Sequence, residues 1–252
     1  MKTTTLLIAL LLPLAAAHGR DVLEQQHVDL GLNYNPTLNL WRLTARDGDN
    51  NKEYAADRVI LRGAIAAEVT VPNDARFAFL GTPGSLSYIL PQTQEPDLLY
   101  LGIATENKTA VSSAWTGDGV SSDFFLRGIN FGTFLNNQVT LALQAVSGPG
   151  HFSLYRTGPG NPQVSLRSGN GIDAGDQHLF APDAHVHFNW AFSAPGTYAV
   201  TFLASGILAA NSQLTQSAPT TFTFQIVPEP GTAALALGGL ALLGLRRRRT
   251  AL

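Results

Sequence analysis

Short runs of alternating apolar and polar residues, separated by glycine, proline, asparagine and aspartate, dominate residues 21–226 of this chain. Residues 138–144 are the clearest run, because Val139, Leu141 and Leu143 alternate with smaller or polar residues. A period of two buries one face of a strand and leaves the other in water, which is typical of antiparallel sheets. The pattern therefore predicts an all-β fold, a single antiparallel β-sandwich domain of about eight to eleven strands.

The N-terminus has the three parts of a secretory signal peptide in their usual order. Lys2 supplies the positive charge, residues 6–14 form an apolar stretch, and residues 15–17 are alanines. The apolar stretch is shorter than the roughly 20 residues that a membrane-spanning helix needs. We therefore expect signal peptidase to remove residues 1–18 during export.

The C-terminal segment, residues 227–252, is a second signal. It consists of a Pro-Glu-Pro motif, a charge-free apolar stretch that we expect to be a helix, and a basic end: Pro228, Glu229, Pro230, residues 233–245, Arg246, Arg247, Arg248 and Arg249. Arginine stays protonated, so the basic end is held on the cytoplasmic side of a membrane. An ordinary single-pass anchor is the alternative interpretation.

This order of parts resembles the PEP-CTERM sorting signal of Gram-negative bacteria. The resemblance implies that an exosortase, a membrane-embedded protease or transpeptidase, cuts the tail. It also implies that the protein is anchored transiently in the inner membrane. The protein would then pass to the outer surface or the extracellular matrix.

Charge and cysteine content exclude several classes of function. Lys2, the four C-terminal arginines and Glu229 lie in the two end segments, which leaves 11 basic and 17 acidic residues between them and a net charge of −6. Such a domain is not expected to bind nucleic acid, which requires basic residues to neutralise phosphates. The chain has no cysteine. Disulfides, thiol catalysis and thiolate metal ligands are therefore excluded.

Residues 185–190 read His-Val-His-Phe-Asn-Trp and contain a candidate metal-binding pair. In a strand, His185, His187 and Asn189 would share one face, while the apolar residues would share the other. Side chains at positions i and i+2 lie about 6.5–7 Å apart, close enough for two imidazoles to converge on one ion. Surface histidines without a ligand are the competing interpretation.

Two further histidines are candidates to complete a ligand set. His27 precedes Asp29 by two residues, which places an imidazole and a carboxylate on one face of a strand. His151 follows a Gly-Pro-Gly turn. Without thiolates, a site needs three imidazoles, or two imidazoles and a carboxylate, which suits zinc or another divalent first-row ion. Each of these two histidines is also consistent with a solvated side chain that binds nothing.

Four segments together resemble the choice-of-anchor M domain: residues 27–30, 148–155, 185–192 and 195–198. The likeness extends over about residues 27–206, and the His-x-His-x-Asn-Trp stretch is its most specific part. This resemblance implies a surface-anchored domain, and it does not imply any catalytic activity. Some relatives are associated with metal-chelate transport, which favours metal handling.

The sequence therefore predicts an exported, surface-sorted, non-enzymatic protein with three parts: signal peptide 1–18, β-domain 21–226 and sorting segment 227–252. No Gly-x-Ser-x-Gly nucleophile motif is present. The alternative function is a matrix or adhesion module that binds exopolysaccharide or another surface protein through Trp115, Tyr155 or exposed loops.

Overall fold

The computed structural model describes residues 19–106, 128–159 and 162–227, and within them the chain forms seventeen β-strands in three sheets. The helical elements of this part are short 3-10 turns: Ala56–Arg58, Ile65–Ala67, Ala75–Leu80 and Leu135–Asn137. The prediction of an all-β fold is confirmed. The strand number exceeds the expected eight to eleven because seven strands contain only three or four residues. The expected signal peptide and C-terminal helix lie outside the described residues.

The largest sheet has seven strands. In spatial order they are β1 (Asp21–Leu23), β5 (Val59–Gly63), β17 (Thr220–Ile226), β15 (Gly196–Ile207), β9 (Val139–Ser147) and β12 (Gln177–Phe180), with β16 (Leu214–Gln216) paired to β15. The longest strand, β15, alternates as the sequence predicted. Tyr198, Val200 and Phe202 are buried on one face, and the residues between them are partly exposed.

The other two sheets have five strands each. The second sheet runs β11 (Gln163–Arg167), β10 (Phe152–Arg156), β14 (Asn189–Phe192), β7 (Leu86–Leu90) and β6 (Glu68–Thr70). The third sheet runs β13 (His185–His187), β8 (Tyr100–Ala104), β2 (His27–Asn35), β3 (Leu40–Asp47) and β4 (Lys52–Ala55).

The sheets are mixed, which corrects the expectation of purely antiparallel pairing. The pairs β1–β5, β5–β17 and β2–β8 are parallel, and the other strand pairs of the described residues are antiparallel. Parallel neighbours need a long connection between them. The chain meets this requirement because strands of the other sheets lie between the two members of each parallel pair along the sequence.

One contiguous apolar core joins the three sheets. Trp190 is fully buried within it, and its ring lies 5.7 Å from that of Phe224 in the largest sheet. The indole Nε1–H of Trp190 donates to the backbone oxygen of Leu101 in the third sheet, at 3.1 Å. A buried indole needs such a partner, so this side chain fixes the second sheet against the third.

The segment 185–192, predicted as one strand, is divided between two sheets. His185–His187 pairs with β8 in the third sheet, and Asn189–Phe192 pairs with β10 and β7 in the second. Fully buried Phe188 lies at the crossing point. The expectation that Asn189 shares a face with the histidines is therefore wrong, because its amide is buried in the other sheet and hydrogen-bonds Gln92.

Among the described residues, no helix has the length and apolarity that crossing a bilayer requires.

Candidate metal centre

Three neighbouring strands of the third sheet present the candidate site on one face. Gly102 of β8 pairs with Asp29 of β2 on one side and with His187 of β13 on the other, so these three residues form a row across the sheet. His27 lies two residues before Asp29, and His185 lies two residues before His187, so both project from the same face as the row. The alternation of β2 and β13 therefore brings four potential ligands over one glycine.

The nitrogen and oxygen atoms of these side chains converge. Oδ1 of Asp29 lies 2.8 Å from Nε2 of His185 and 3.5 Å from Nε2 of His27. The Nε2 atoms of His185 and His187 are 3.1 Å apart. One ligand atom from each of the four side chains lies within 4.8 Å of all the others.

These separations fit a tetrahedral ion. With metal–ligand distances of about 2.0–2.1 Å, neighbouring ligand atoms of a tetrahedral site lie about 3.3 Å apart. The three closest distances of the cluster, 2.8, 3.1 and 3.5 Å, bracket that value. Three imidazole nitrogens and one carboxylate oxygen are also a donor set that zinc and neighbouring first-row ions accept.

A contact of His185 and an atom of His27 indicate that the cluster holds a cation. Nδ1 of His185 lies 3.3 Å from Oε1 of Glu106, and a neutral imidazole carries one N–H. If that N–H faces Glu106, the lone pair of Nε2 of His185 faces the carboxylate of Asp29. These two groups repel each other unless a cation, either a proton or a metal ion, lies between them. In addition, Nε2 of His27 is buried and has no hydrogen-bond partner among the described residues.

The electrostatics favour the protonation states that bind metals. Burial alone would raise the pKa of the Asp29 carboxyl, but its hydrogen bond with His185 and the adjacent His27 ring lower it more, so the net pKa lies well below the usual range. Burial lowers the pKa of His187 to about 4. The negative charge of Asp29 raises this pKa by less than burial lowers it, and His185 and His27 lower it further. At neutral pH the site therefore contains an ionised carboxylate and a neutral imidazole, as metal ligation requires.

Neighbouring side chains hold the imidazole rings in place. Glu106 contacts Nδ1 of His185, on the opposite side of the ring from the cluster. The ring of Tyr100 stacks on that of His187, with centroids 3.6 Å apart and an angle of 1° between the planes. Carboxylates behind a ligating histidine fix its tautomer and its orientation. Glu106 and Tyr100 therefore make the geometry of the cluster rigid.

Gly102 provides the space above the sheet. A Cβ atom at this position would overlap Oδ1 of Asp29 and would lie 2.9 Å from Cε1 and 3.1 Å from Nε2 of His187. The backbone conformation of Gly102 is not of the kind that excludes other residues. Glycine is thus required here by the close approach of the ligands.

His151, the fourth predicted ligand, lies elsewhere. It precedes β10 in the second sheet, and its backbone N–H donates to Oγ of Ser193, just beyond the end of β14. His187 of the cluster lies just before the start of β14, whereas Ser193 follows the end of β14, so the full length of this strand separates His151 from the cluster. The structure therefore brings together His27, His185 and His187, and the fourth member of the cluster is Asp29.

Two residues around the cluster were missed by sequence reasoning. Asp29 was identified as a neighbour of His27 on the same strand face, but Glu106 and Gly102 were not considered. Nothing in the local sequence marks Glu106, because its role depends on the pairing of β8 with β13. Gly102 gives a weak signal, a glycine inside an otherwise apolar strand, which often indicates a close approach.

Neither aromatic residue named for the alternative function, a matrix or adhesion module, is an exposed side chain in the described part of the chain. Tyr155 is 3% exposed and packs against Phe79, so its ring is not on the surface. Trp115 lies outside the described residues.

Comparison with protein families matches residues 227–249 to the PEP-CTERM protein-sorting motif. The prediction of this sorting signal is confirmed. The chain is therefore an exported protein of the class that is sorted to the cell surface through the membrane, and the motif implies processing by an exosortase.

Comparison with curated proteins and with solved structures gives no match. The resemblance to the choice-of-anchor M domain has no support from these comparisons and stays a prediction.

Proposed function

We propose that this protein carries a divalent first-row metal ion, with zinc as the best fit, on a β-sandwich domain displayed at the outer surface or in the matrix of a Gram-negative bacterium. The ligands are Nε2 of His27, His185 and His187 and a carboxylate oxygen of Asp29. The observation that carries the proposal is the convergence of these four donors at tetrahedral spacing on one face of the third sheet.

The proposed role is binding and not catalysis. Catalytic zinc sites usually have three protein ligands and keep one position open for water or substrate, whereas structural and storage sites are closed by four. Here the protein supplies all four donors. One of them, Asp29, is 3% exposed, while the side chains of His27 and His185 are about a quarter exposed. An ion at this place would therefore be reached from solvent and then enclosed.

A metal ion accounts for the unpaired groups better than a proton does. A single proton between His185 and Asp29 satisfies that contact but leaves Nε2 of His27 buried without a partner. A buried polar atom without a partner costs about 1–3 kcal/mol. An ion at the centre of the four donors would satisfy each of these ligand atoms, whereas Nδ1 of His187 is unpaired among the described residues in either case.

Elemental analysis of the purified protein tests the proposal. We expect about one zinc or similar ion per chain after equilibration with metal and removal of the excess. The double variant His185→Ala/His187→Ala should lose it, and the control His151→Ala, which removes a histidine outside the cluster, should retain it. Equal metal content in the double variant and the parent protein would refute the proposal.

A matrix or adhesion module remains the second candidate from the sequence, with exopolysaccharide or a surface protein as its partner. The residues proposed to mediate it are buried or outside the described part of the chain.

A further inference from the structure

A cavity of about 300 Å³ lies at one end of the second sheet, apart from the histidine cluster. Its lining combines an apolar wall with several polar groups: Ala78, Phe79, Leu80, Gly81, His151, Arg167, Gly169, Asn170 and Ser193. Ligand sites typically have this composition, a mostly apolar surface with a few convergent polar groups, and their volumes begin at about 300 Å³. The cavity therefore has room for a single ring with its substituents.

The apolar wall is the end of the 3-10 segment Ala75–Leu80. The ring of Phe79 packs its edge against Tyr155, with centroids 4.9 Å apart and planes at 70°. Tyr155 is itself buried in the second sheet, and Leu80 is also buried. The wall is therefore backed by the sheet and presents a firm apolar surface.

Arg167 supplies positive charge on the polar side. It is exposed, and among the described residues its guanidinium forms no ion pair or hydrogen bond. The nearby carboxylate of Asp176 is already occupied, since it accepts hydrogen bonds from the backbone N–H groups of Arg167 and Asp173, at 2.8 and 2.9 Å. The guanidinium remains free to form the two parallel hydrogen bonds that arginine makes with a carboxylate.

His151 is fixed at the edge of the same cavity. Its backbone N–H donates to Oγ of Ser193 at 2.7 Å, and its backbone oxygen accepts from the N–H of Ser193 at 3.0 Å. Gly169 lies against the imidazole, since a Cβ there would approach Cγ of His151 to 3.3 Å. These contacts hold the residue beside Arg167 and Asn170, where its ring nitrogens and the amide of Asn170 can bond hydroxyl groups.

We propose that this cavity binds a hexuronate, a six-membered sugar ring that carries a carboxylate. The carboxylate pairs with Arg167, the ring hydroxyls bond His151 and Asn170, and the C–H face of the ring packs on the wall formed by Phe79 and Leu80. A neutral sugar lacks the group that pairs with the guanidinium. A flat aromatic acid lacks the hydroxyls that the polar side accommodates.

Titration calorimetry with galacturonate, with the neutral sugar galactose in parallel, tests this site on the full chain. We expect galacturonate to bind and galactose to bind at least roughly tenfold more weakly, because galactose lacks the carboxylate that forms charged hydrogen bonds with the guanidinium. Arg167→Gln should weaken galacturonate binding by a similar factor. The control Arg58→Gln removes an arginine on a different part of the surface and should leave binding unchanged.

Galacturonate and its linear trimer should both bind, with Arg167→Gln weakening both, because a free acid and a unit of an acidic polysaccharide present the same ring and carboxylate. The His151→Asn variant provides a second test that does not alter the charge of Arg167, and it should weaken binding of both galacturonate and galactose. Absence of galacturonate binding at millimolar concentration would overturn the proposal. Equal affinity for galactose, or an Arg167→Gln variant that binds as the parent does, would also overturn it. Metal content should be unaffected by these variants, so this site and the metal centre can fail separately.

Discussion

Replacement of Gly102 by alanine should impair the metal centre without removing any ligand. The added methyl group would overlap Oδ1 of Asp29 and approach Cε1 of His187 to 2.9 Å, closer than real Cβ contacts occur. Asp29 lies beneath the imidazoles and is almost fully buried, so it has little room to move aside. At least one of the four ligands must therefore leave its position, whereas metal sites tolerate deviations of only about 0.2 Å.

The magnitude follows from the number of ligands. Structural zinc sites bind with about 10–16 kcal/mol, or roughly 3 kcal/mol for each of four ligands, so loss of one ligand should raise the Kd more than about a hundredfold. Competition with a chromophoric chelator measures this change. Gly158→Ala is the matched control, because a Cβ there meets nothing within 4 Å. A Kd for Gly102→Ala within a few-fold of the parent value would refute the placement of the ion above this glycine.

Three further predictions concern the surroundings of the site and the stability of the fold. Glu106→Gln removes the negative charge next to Nδ1 of His185 and should raise the metal Kd about 10–100-fold in the same competition assay. An unchanged Kd would mean that the Glu106 carboxylate does not orient the imidazole ring. Burial raises the pKa of Glu53 from 4.5 to about 7, although Thr44 and Arg46 oppose the shift. At Glu53 the folded state therefore binds more protons than the unfolded state between these pH values, so this side chain lowers the free energy of unfolding by up to about 3 kcal/mol as the pH rises from about 4.5 to 7. His187, whose pKa is lowered to about 4, contributes in the opposite direction over the same range, so the contribution of Glu53 is the difference between the parent protein and Glu53→Gln. In urea denaturation, the free energy of unfolding of the parent protein relative to that of Glu53→Gln should decrease from about pH 4.5 to 7, and the same slope in both would refute the assignment. Trp190→Phe leaves the backbone oxygen of Leu101 without its donor and should lower the free energy of unfolding by about 1–3 kcal/mol, measured by the same method; no loss would show that the indole bond does not stabilise the packing.

The period-two pattern correctly predicted which residues of the long strands are buried. Strand β15 shows why: its buried positions are consecutive members of one alternating series, and burial of one face is a local property of a strand. The pattern also placed His185 and His187 on one face. It failed at Phe188, because the chain changes sheets there and alternation contains no information about which sheet a residue joins.

The remaining ligands depended on tertiary contacts that a single sequence does not display. His27 and His151 looked alike as candidates, since each is near a turn or strand end. The parallel pairing of β2 with β8 brings His27 into the cluster, whereas the antiparallel pairing of β10 with β14 places His151 on another sheet. Asp29 was visible on the same strand face as His27, but its burial and its contact with His185 were not.

The two ligating strands are far apart along the chain, with 156 positions between Asp29 and His185. Neither strand can form the site alone, since β2 supplies His27 and Asp29 and β13 supplies the second pair of imidazoles. Under the proposed function, metal occupancy would therefore report that β2 and β13 have come together in the folded domain.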